Sequence, residues 1–353
     1  MKKSLVALAV LGSLASVAQA DPLDGNSVVL YGVLDGGLRY TTHADANGGG
    51  RFQVGNGAES ESYFGLKGSE DLGRGLHAIF DVEGGFSLGS GNSVTDNRND
   101  GRLFGRQAYV GLQSDQYGTL TLGRQNTLGY DFIVNTNPYG EGNVPEVQGS
   151  QYYLSGPRWD NSVKYQGNFN NVYVGAMYGS GNQAGSFATD RGWGVAGGYT
   201  YNPLNIRAFY QEANDANFGV IGVAPNDKQK MLGVGATYTF GPAEVFAQYF
   251  NNRYSVTRLT DNIYNVGASY QFTPVVALKG AVTYDNQSSA DSGHRMTYSL
   301  LSSYNLSKRT DVYAEADYTK LSGGYFDPTY DFNNTSNTYN NRLGVSLGLR
   351  HKF

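Results

Sequence analysis

The chain ends Leu343-Gly344-Val345-Ser346-Leu347-Gly348-Leu349-Arg350-His351-Lys352-Phe353. In an extended segment Leu343, Val345, Leu347, Leu349, His351 and Phe353 share one face, and Arg342, Gly344, Ser346, Gly348, Arg350 and Lys352 share the other. A two-residue period that divides apolar from polar side chains marks a strand lying between unlike environments. In a soluble sandwich the apolar face points into a core. In an outer-membrane barrel it points out at lipid and the polar face lines water.

The other end of the chain favours the second reading. Lys2 and Lys3 precede an apolar run over 5–17 and then Ala18-Gln19-Ala20, the pattern of a secretory signal cleaved after residue 20. The run is shorter than the roughly 20 residues a membrane helix needs. Residues 21–353 are then expected to form a single domain, and no later stretch resembles a transmembrane helix, so spanning falls to strands. Removing Lys2 and Lys3 leaves 24 basic residues against 30 acidic ones, a net charge near −6 that argues against a nucleic-acid partner. The absence of cysteine excludes a disulfide-stapled fold and thiolate metal centres. With 13% aromatic residues, 49 glycines and 28 tyrosines, the chain suits strands with a small or polar inner face and aromatic girdles rather than a solvated coil.

From residue 27 onward, sixteen strand-like runs alternate with polar breaks, beginning at 27–42, 61–70, 76–86 and 102–114 and closing with 311–321 and 340–353. Short turns such as Asp71-Leu72-Gly73-Arg74, Asn170-Asn171, Gly241-Pro242 and Thr273-Pro274 alternate with long polar loops at 43–60, 87–101, 126–160, 180–191, 213–229 and 322–339. An up-and-down barrel has tight turns at one rim and long loops at the other, whereas a Greek-key sandwich mixes connection lengths. The expected fold is therefore all-β, a 16-stranded antiparallel transmembrane barrel.

The faces agree. Leu30, Leu34 and Leu38 alternate with Tyr31, Val33, Asp35 and Arg39, and Phe80 and Val82 alternate with Asp81 and Glu83. A midplane Arg or Lys facing lipid costs roughly 2–4 kcal/mol, so Tyr31, Asp35, Arg39, Asp81 and Glu83 belong to the lumen. Arg106 is ambiguous, because it shares parity with Ala108, Val110 and Leu112.

The segment 126–160 breaks the rhythm. It carries Pro138, Pro145, Pro157 and five glycines, and its charges are Asp131, Glu141, Glu146 and Asp160 against Arg158. A loop of this length is usually functional. Folded inward against Arg39, Lys67, Arg106 and Arg124 on or near the wall, it would make a waist with a transverse field that screens permeants by size and charge. The alternative is a solvated surface loop.

Several stretches carry a resemblance. Val29-Leu30-Tyr31-Gly32-Val33-Leu34-Asp35, Gly65-Leu66-Lys67-Gly68-Ser69-Glu70-Asp71-Leu72-Gly73, Arg106-Gln107-Ala108-Tyr109-Val110-Gly111-Leu112, Leu122-Gly123-Arg124-Gln125, Asn161-Ser162-Val163-Lys164-Tyr165 and the final residues all match in order. The chain thereby resembles the Gram-negative general porins of the Burkholderia, Bordetella and Neisseria type. The resemblance implies a homotrimer in the outer membrane, surrounded by lipid and lipopolysaccharide, whose third external loop folds into the pore. Ions and small hydrophilic solutes would diffuse through it passively, without a cofactor. It implies that Glu146, in Val144-Pro145-Glu146, lies on the loop side of the constriction and that Arg106 and Arg158 lie on the wall. One position departs: Tyr63 stands where such porins often carry an arginine, which weakens the implied anion selectivity. Phe353 resembles the terminal residue read by the barrel-assembly machinery.

Enzyme chemistry finds little support. Gly179-Ser180-Gly181-Asn182-Gln183-Ala184 mimics a dinucleotide fingerprint, but the following residues lead to another strand and not to the helix that would hold a pyrophosphate. His43, His77, His294 and His351 show no metal-ligand spacing. The rival readings are a porin selective for a sugar or an organic acid, suggested by Tyr-rich stretches such as Gln151-Tyr152-Tyr153, and a non-conducting adhesin.

Overall fold

In a computed structural model of the chain, residues 26–45, 47–94, 101–140, 156–214, 227–288, 292–323, 325 and 339–353 are described. The export signal expected over 1–20, together with Glu141 and Glu146, lies outside them.

The architecture is a closed antiparallel barrel. The strands are β1 (Ser27–Thr41), β2 (Arg51–Asn56), β3 (Ser62–Gly73), β4 (Leu76–Phe86), β5 (Gln107–Ser114), β6 (Gly118–Asn126), β7 (Arg158–Phe169), β8 (Val172–Gly179) and β9 (Gly192–Tyr201). They continue as β10 (Leu204–Ala213), β11 (Gln229–Phe240), β12 (Ala243–Tyr254), β13 (Thr260–Thr273), β14 (Val276–Ser288), β15 (Gly293–Asn305), β16 (Thr310–Gly323) and β17 (Asn341–Lys352). From β3 to β17 every strand pairs with its neighbour in sequence, and β17 returns to β1 with Val33 opposite Lys352 and Thr41 opposite Gly344. On its other edge β1 pairs over 27–33 with β3 and over 36–41 with β2. Strands β2 and β3 thus share one position around the ring, which gives sixteen staves. The seam closes at the terminus, where Gly32 and Phe353 exchange backbone hydrogen bonds of 3.1 Å.

Closure leaves no free edge, which a bilayer would penalise by several kcal/mol per unpaired backbone group. No helix among the described residues is long and apolar enough to cross a membrane. The strands are apolar outside and polar inside, the reverse of a soluble protein. Val110, Leu122, Leu300 and Leu347 are half-exposed on the outer face, whereas Asp35, Asn252, Asp261 and Asp285 are fully buried inward. Outward rings such as Tyr249, Tyr264 and Tyr284 pack against one another across adjacent strands.

The segment expected to be an irregular insertion at 126–160 contains a helix, α1 (Leu128–Thr136). Thr127 caps it by accepting a hydrogen bond from the Tyr130 N–H at 3.2 Å, a role for which threonine is well suited. The apolar side chains of Phe132 and Ile133 give the helix its packing face. Phe132 meets Phe209 on β10 and Phe250 on β12 at ring-centroid distances of 5.0 and 5.4 Å. These rings belong to a cluster with Met231, Phe246 and Ile263, all on the buried face of the wall. The loop at 43–60 also contains more order than expected, namely β2 and a tight bend described below.

Candidate functional site

The helix is fastened across the barrel by polar contacts as well as by its rings. Gln211 on β10 accepts from the Gly129 N–H at 3.0 Å, and Gln248 on β12 donates to the Thr136 hydroxyl at 2.6 Å. Beyond α1, the Tyr139 hydroxyl donates to the carbonyls of Lys279 and Ser299 at 3.0 and 3.2 Å. The segment therefore leaves β6 and reaches the inner faces of β10, β12, β14 and β15.

A second segment folds inward, and the sequence reading missed it. Gly57, Ala58, Glu59 and Ser60, between β2 and β3, are all buried. Asp35 Oδ2 accepts from the N–H groups of Glu59 and Ser60 at 3.0 and 2.6 Å, and Oδ1 accepts from the Tyr313 hydroxyl at 2.6 Å. The Ala58 N–H donates to that same hydroxyl at 2.6 Å. Glu59 pairs with Lys279 at 3.3 Å and with Arg350 at 3.1 Å, and Arg350 also holds Asp311 at 3.0 Å. Burial pushes the Glu59 carboxyl above its usual range, against the pull of Lys279 and Arg350. A Cβ at Gly57 would collide with Asp35 and Tyr313, so this position requires glycine. Ala58, Tyr139 and Tyr313 meet in one cluster, which joins the bend to the tail of the α1 segment.

These two segments lie against β10, β12 and β14–β17, and the inner wall opposite them runs from β3 to β8. Here Tyr31 donates to Asp81 at 2.7 Å and to Glu83 at 2.9 Å. The Lys67 ammonium lies 4.8 Å from the centre of the Tyr31 ring. Arg106 pairs with Glu61 and Glu83 and lies 4.2 Å from the centre of the Tyr63 ring. The expected set Tyr31, Tyr63, Lys67, Asp81, Glu83 and Arg106 is thus brought together on one wall. The parity ambiguity at Arg106 resolves because β5 begins at Gln107, one residue later, and frees the arginine to turn inward. Arg39 is also on the inner face but stands apart, held by Glu315 at 3.0 Å and Asp317 at 2.5 Å.

Two expected basic wall residues are placed differently. Arg124 shares the parity of the outward Leu120 and Leu122, and it pairs with Asp160 at 2.9 Å, which also holds Arg102 at 3.0 Å. It is a rim ion pair and not a lumen charge. Arg158 is 4% exposed and lies 5.0 Å from the centre of the Tyr130 ring, so it packs beneath α1. Asp131 faces neither Arg39 nor Arg106 in an ion pair; it is held by Lys164 and by Gln166, whose side-chain amide donates at 2.9 Å. A uniformly acidic loop opposite a uniformly basic wall is therefore not what the described residues form: each wall carries both signs, closely paired. The sequence reading assigned no role to Lys164, Arg207, Lys279 or Arg350. The signal was present, since Arg207, Phe209 and Gln211 alternate with Ile206, Ala208 and Tyr210.

Between α1, the strands β4 to β8 and β10 lies a recess of about 470 Å³ lined by Tyr109, Lys164, Tyr173, Arg207 and several side-chain amides. A closed barrel with an apolar exterior, a polar, charged interior and a chain segment laid across that interior defines a membrane channel. The family model of the Gram-negative porins matches residues 7–324, and the chain belongs to that family. It is 30% identical over 412 residues to an outer membrane porin of Bordetella pertussis and 29% identical over 374 residues to outer membrane porin protein 32 of Delftia acidovorans, each alignment covering 100% of both chains. Among solved structures, an anion-selective porin from Comamonas acidovorans superposes with a TM-score of 0.76 at 23% identity, covering 93% of this chain and 100% of that one. OmpT of Vibrio cholerae superposes with a TM-score of 0.71 at 18% identity, covering 94% of this chain and 98% of that one. The protein is an outer-membrane channel for passive diffusion of small solutes.

Proposed function

We propose that the permeation path is off-centre, running between α1 and the β3–β8 wall, and that the 126–160 segment and the 57–60 bend together set its width. The observation that carries this reading is the fastening of α1 and Tyr139 to β10, β12, β14 and β15. Solutes would pass Lys67, Asp81, Glu83 and Arg106 first and then Asp131, Lys164 and Arg207, so that size dominates selection and the paired charges leave a modest ion preference. The assembly is a homotrimer, as the trimer form reported for the Vibrio cholerae OmpT suggests.

Reconstitution into planar bilayers tests this. Current steps grouped in threes support a trimer. Introducing a cysteine at Tyr109 and modifying it with a bulky thiol reagent should lower conductance strongly, while the same change at Ser299, on the covered wall, should react slowly and leave conductance intact. Equal sensitivity at both positions would refute the off-centre path. Phe353 is proposed as the residue read during barrel assembly; its deletion should lower the yield of heat-modifiable barrel in the outer membrane, and unchanged yield would defeat that role.

A further inference from the structure

We propose that the recess beside α1 is a binding station for a monosaccharide bearing a carboxylate, a uronic acid, with Arg207 receiving the carboxylate. The proposal rests on the off-centre path above and adds a ligand to it. Arg207 is half-buried on the inner face of β10, and its guanidinium lies 4.5 Å from the centre of the Tyr173 ring. Among the described residues no carboxylate lies within ion-pair distance of it, and its Nε is buried without a hydrogen-bond partner. The nearby Asp131 is already taken by Lys164 and Gln166.

Four other inner arginines differ in this respect. Arg39, Arg106, Arg295 and Arg350 each hold at least one carboxylate. A guanidinium lying over an aromatic ring, with no carboxylate upon it, can take a planar carboxylate by two parallel hydrogen bonds from its terminal nitrogens. The register makes room for the arginine's stem: Arg207 stands opposite Gly198 on β9 and Gly235 on β11, and a Cβ at Gly198 would press on the arginine at 2.9 Å.

The remainder of the lining suits a hydroxyl-rich ring. Gln113 and Asn168 present side-chain amides, each able to donate and accept, and Tyr109 adds aromatic surface for the C–H face of a sugar. The volume falls within the usual range for a small-molecule site, roughly 300–1,000 Å³. Neutral sugars would leave the guanidinium unfilled, and a short carboxylate would leave the amides unfilled. A uronic acid satisfies both. The recess lies on the side of α1 that faces the short turns, since Arg207 is three residues from the start of β10 and Asn168 is two residues from the 170–171 turn.

The test is interruption of the KCl current through the reconstituted channel by potassium glucuronate, with glucose and potassium acetate as comparisons, each added to either chamber. Glucuronate is expected to block at a concentration about tenfold or more below either comparison, the scale of one charge-assisted hydrogen-bond pair. Block should be stronger from the short-turn side. Arg207→Gln should raise the half-blocking concentration by a similar factor, and Arg207→Lys, which keeps the charge but not the planar fork, should raise it as well. If the glutamine variant fails to form heat-modifiable barrel, the lysine variant decides. Equal block by acetate, or variants that block like the parent protein, would overturn the site. A channel that conducts but ignores glucuronate overturns the site and leaves the channel function standing, whereas a barrel that inserts and never conducts overturns both.

Discussion

Asp35→Ala should release the 57–60 bend from the wall and widen the lumen without dissolving the barrel. The carboxylate accepts three hydrogen bonds, two from the backbone of the bend and one from Tyr313. Hydrogen bonds to a charged group contribute about 1.5–3 kcal/mol each. Part of that sum is offset because the substitution also removes a fully buried charge and its desolvation cost, and because the Glu59 pairs with Lys279 and Arg350 remain. A net loss of about 2–4 kcal/mol in docking of the bend follows, which multiplies the undocked population by roughly 30- to 800-fold. The chain contains no cysteine, so Ser60→Cys, at a position 7% exposed, provides a clean reporter. The rate of its modification by a membrane-impermeant thiol reagent should rise at least about tenfold when Asp35→Ala is added, with an increase in single-channel conductance. The backbone ladder around β1 is untouched, so heat-modifiable mobility should persist. A folded double variant whose cysteine stays as protected as before would refute the claim that Asp35 holds the bend.

Other consequences follow from the same geometry. Phe132→Ala should cost about 3–5 kcal/mol of packing between α1 and the β10–β12 wall, read as larger and noisier conductance with little change in the melting of the barrel; quiet, parent-like current would contradict it. Arg106→Gln strands Glu61 and Glu83 beside each other, so the reversal potential in a salt gradient should shift toward cations, and a shift toward anions would contradict the assigned pairing. Because the folded-state pKa of Glu59 lies above its unfolded value, the folded protein takes up this proton first as pH falls. Proton uptake then favours the folded form, so acidification should not unfold the barrel through this group. It does release Lys279 and Arg350 from a carboxylate, so ion preference should move toward anions on acidification, and Glu59→Gln should weaken that pH dependence.

The barrel was legible because its signal repeats. Sixteen runs with period-two faces, and turns that alternate short and long, each point the same way, and the terminal segment from Leu343 to Phe353 takes its place as β17 with apolar residues outward. What escaped the reading is local and breaks the period. Strand β2 is six residues of Arg51–Asn56 inside a polar loop, too short for alternation to stand out. The bend at 57–60 depends on Asp35 and Tyr313, which are 278 residues apart in the chain. Helix α1 has only nine residues, and its stability comes from rings on distant strands more than from its own propensity. Arg124 could have been placed, since it shares parity with Leu120 and Leu122. The lumen pairings were not readable at all, because parity tells which way a side chain points and says nothing about which stave it meets.

The two inward segments are fastened by side chains to a scaffold whose own integrity rests on backbone pairing. Calibre and scaffold are therefore separable traits. A substitution in 57–60 or in α1 alters what passes while the membrane-spanning ladder remains intact, so lineages facing a new antibiotic or nutrient can vary the aperture without risking insertion. Selection on permeability would be expected to leave its marks on these few inner contacts, and selection on export and assembly on the staves.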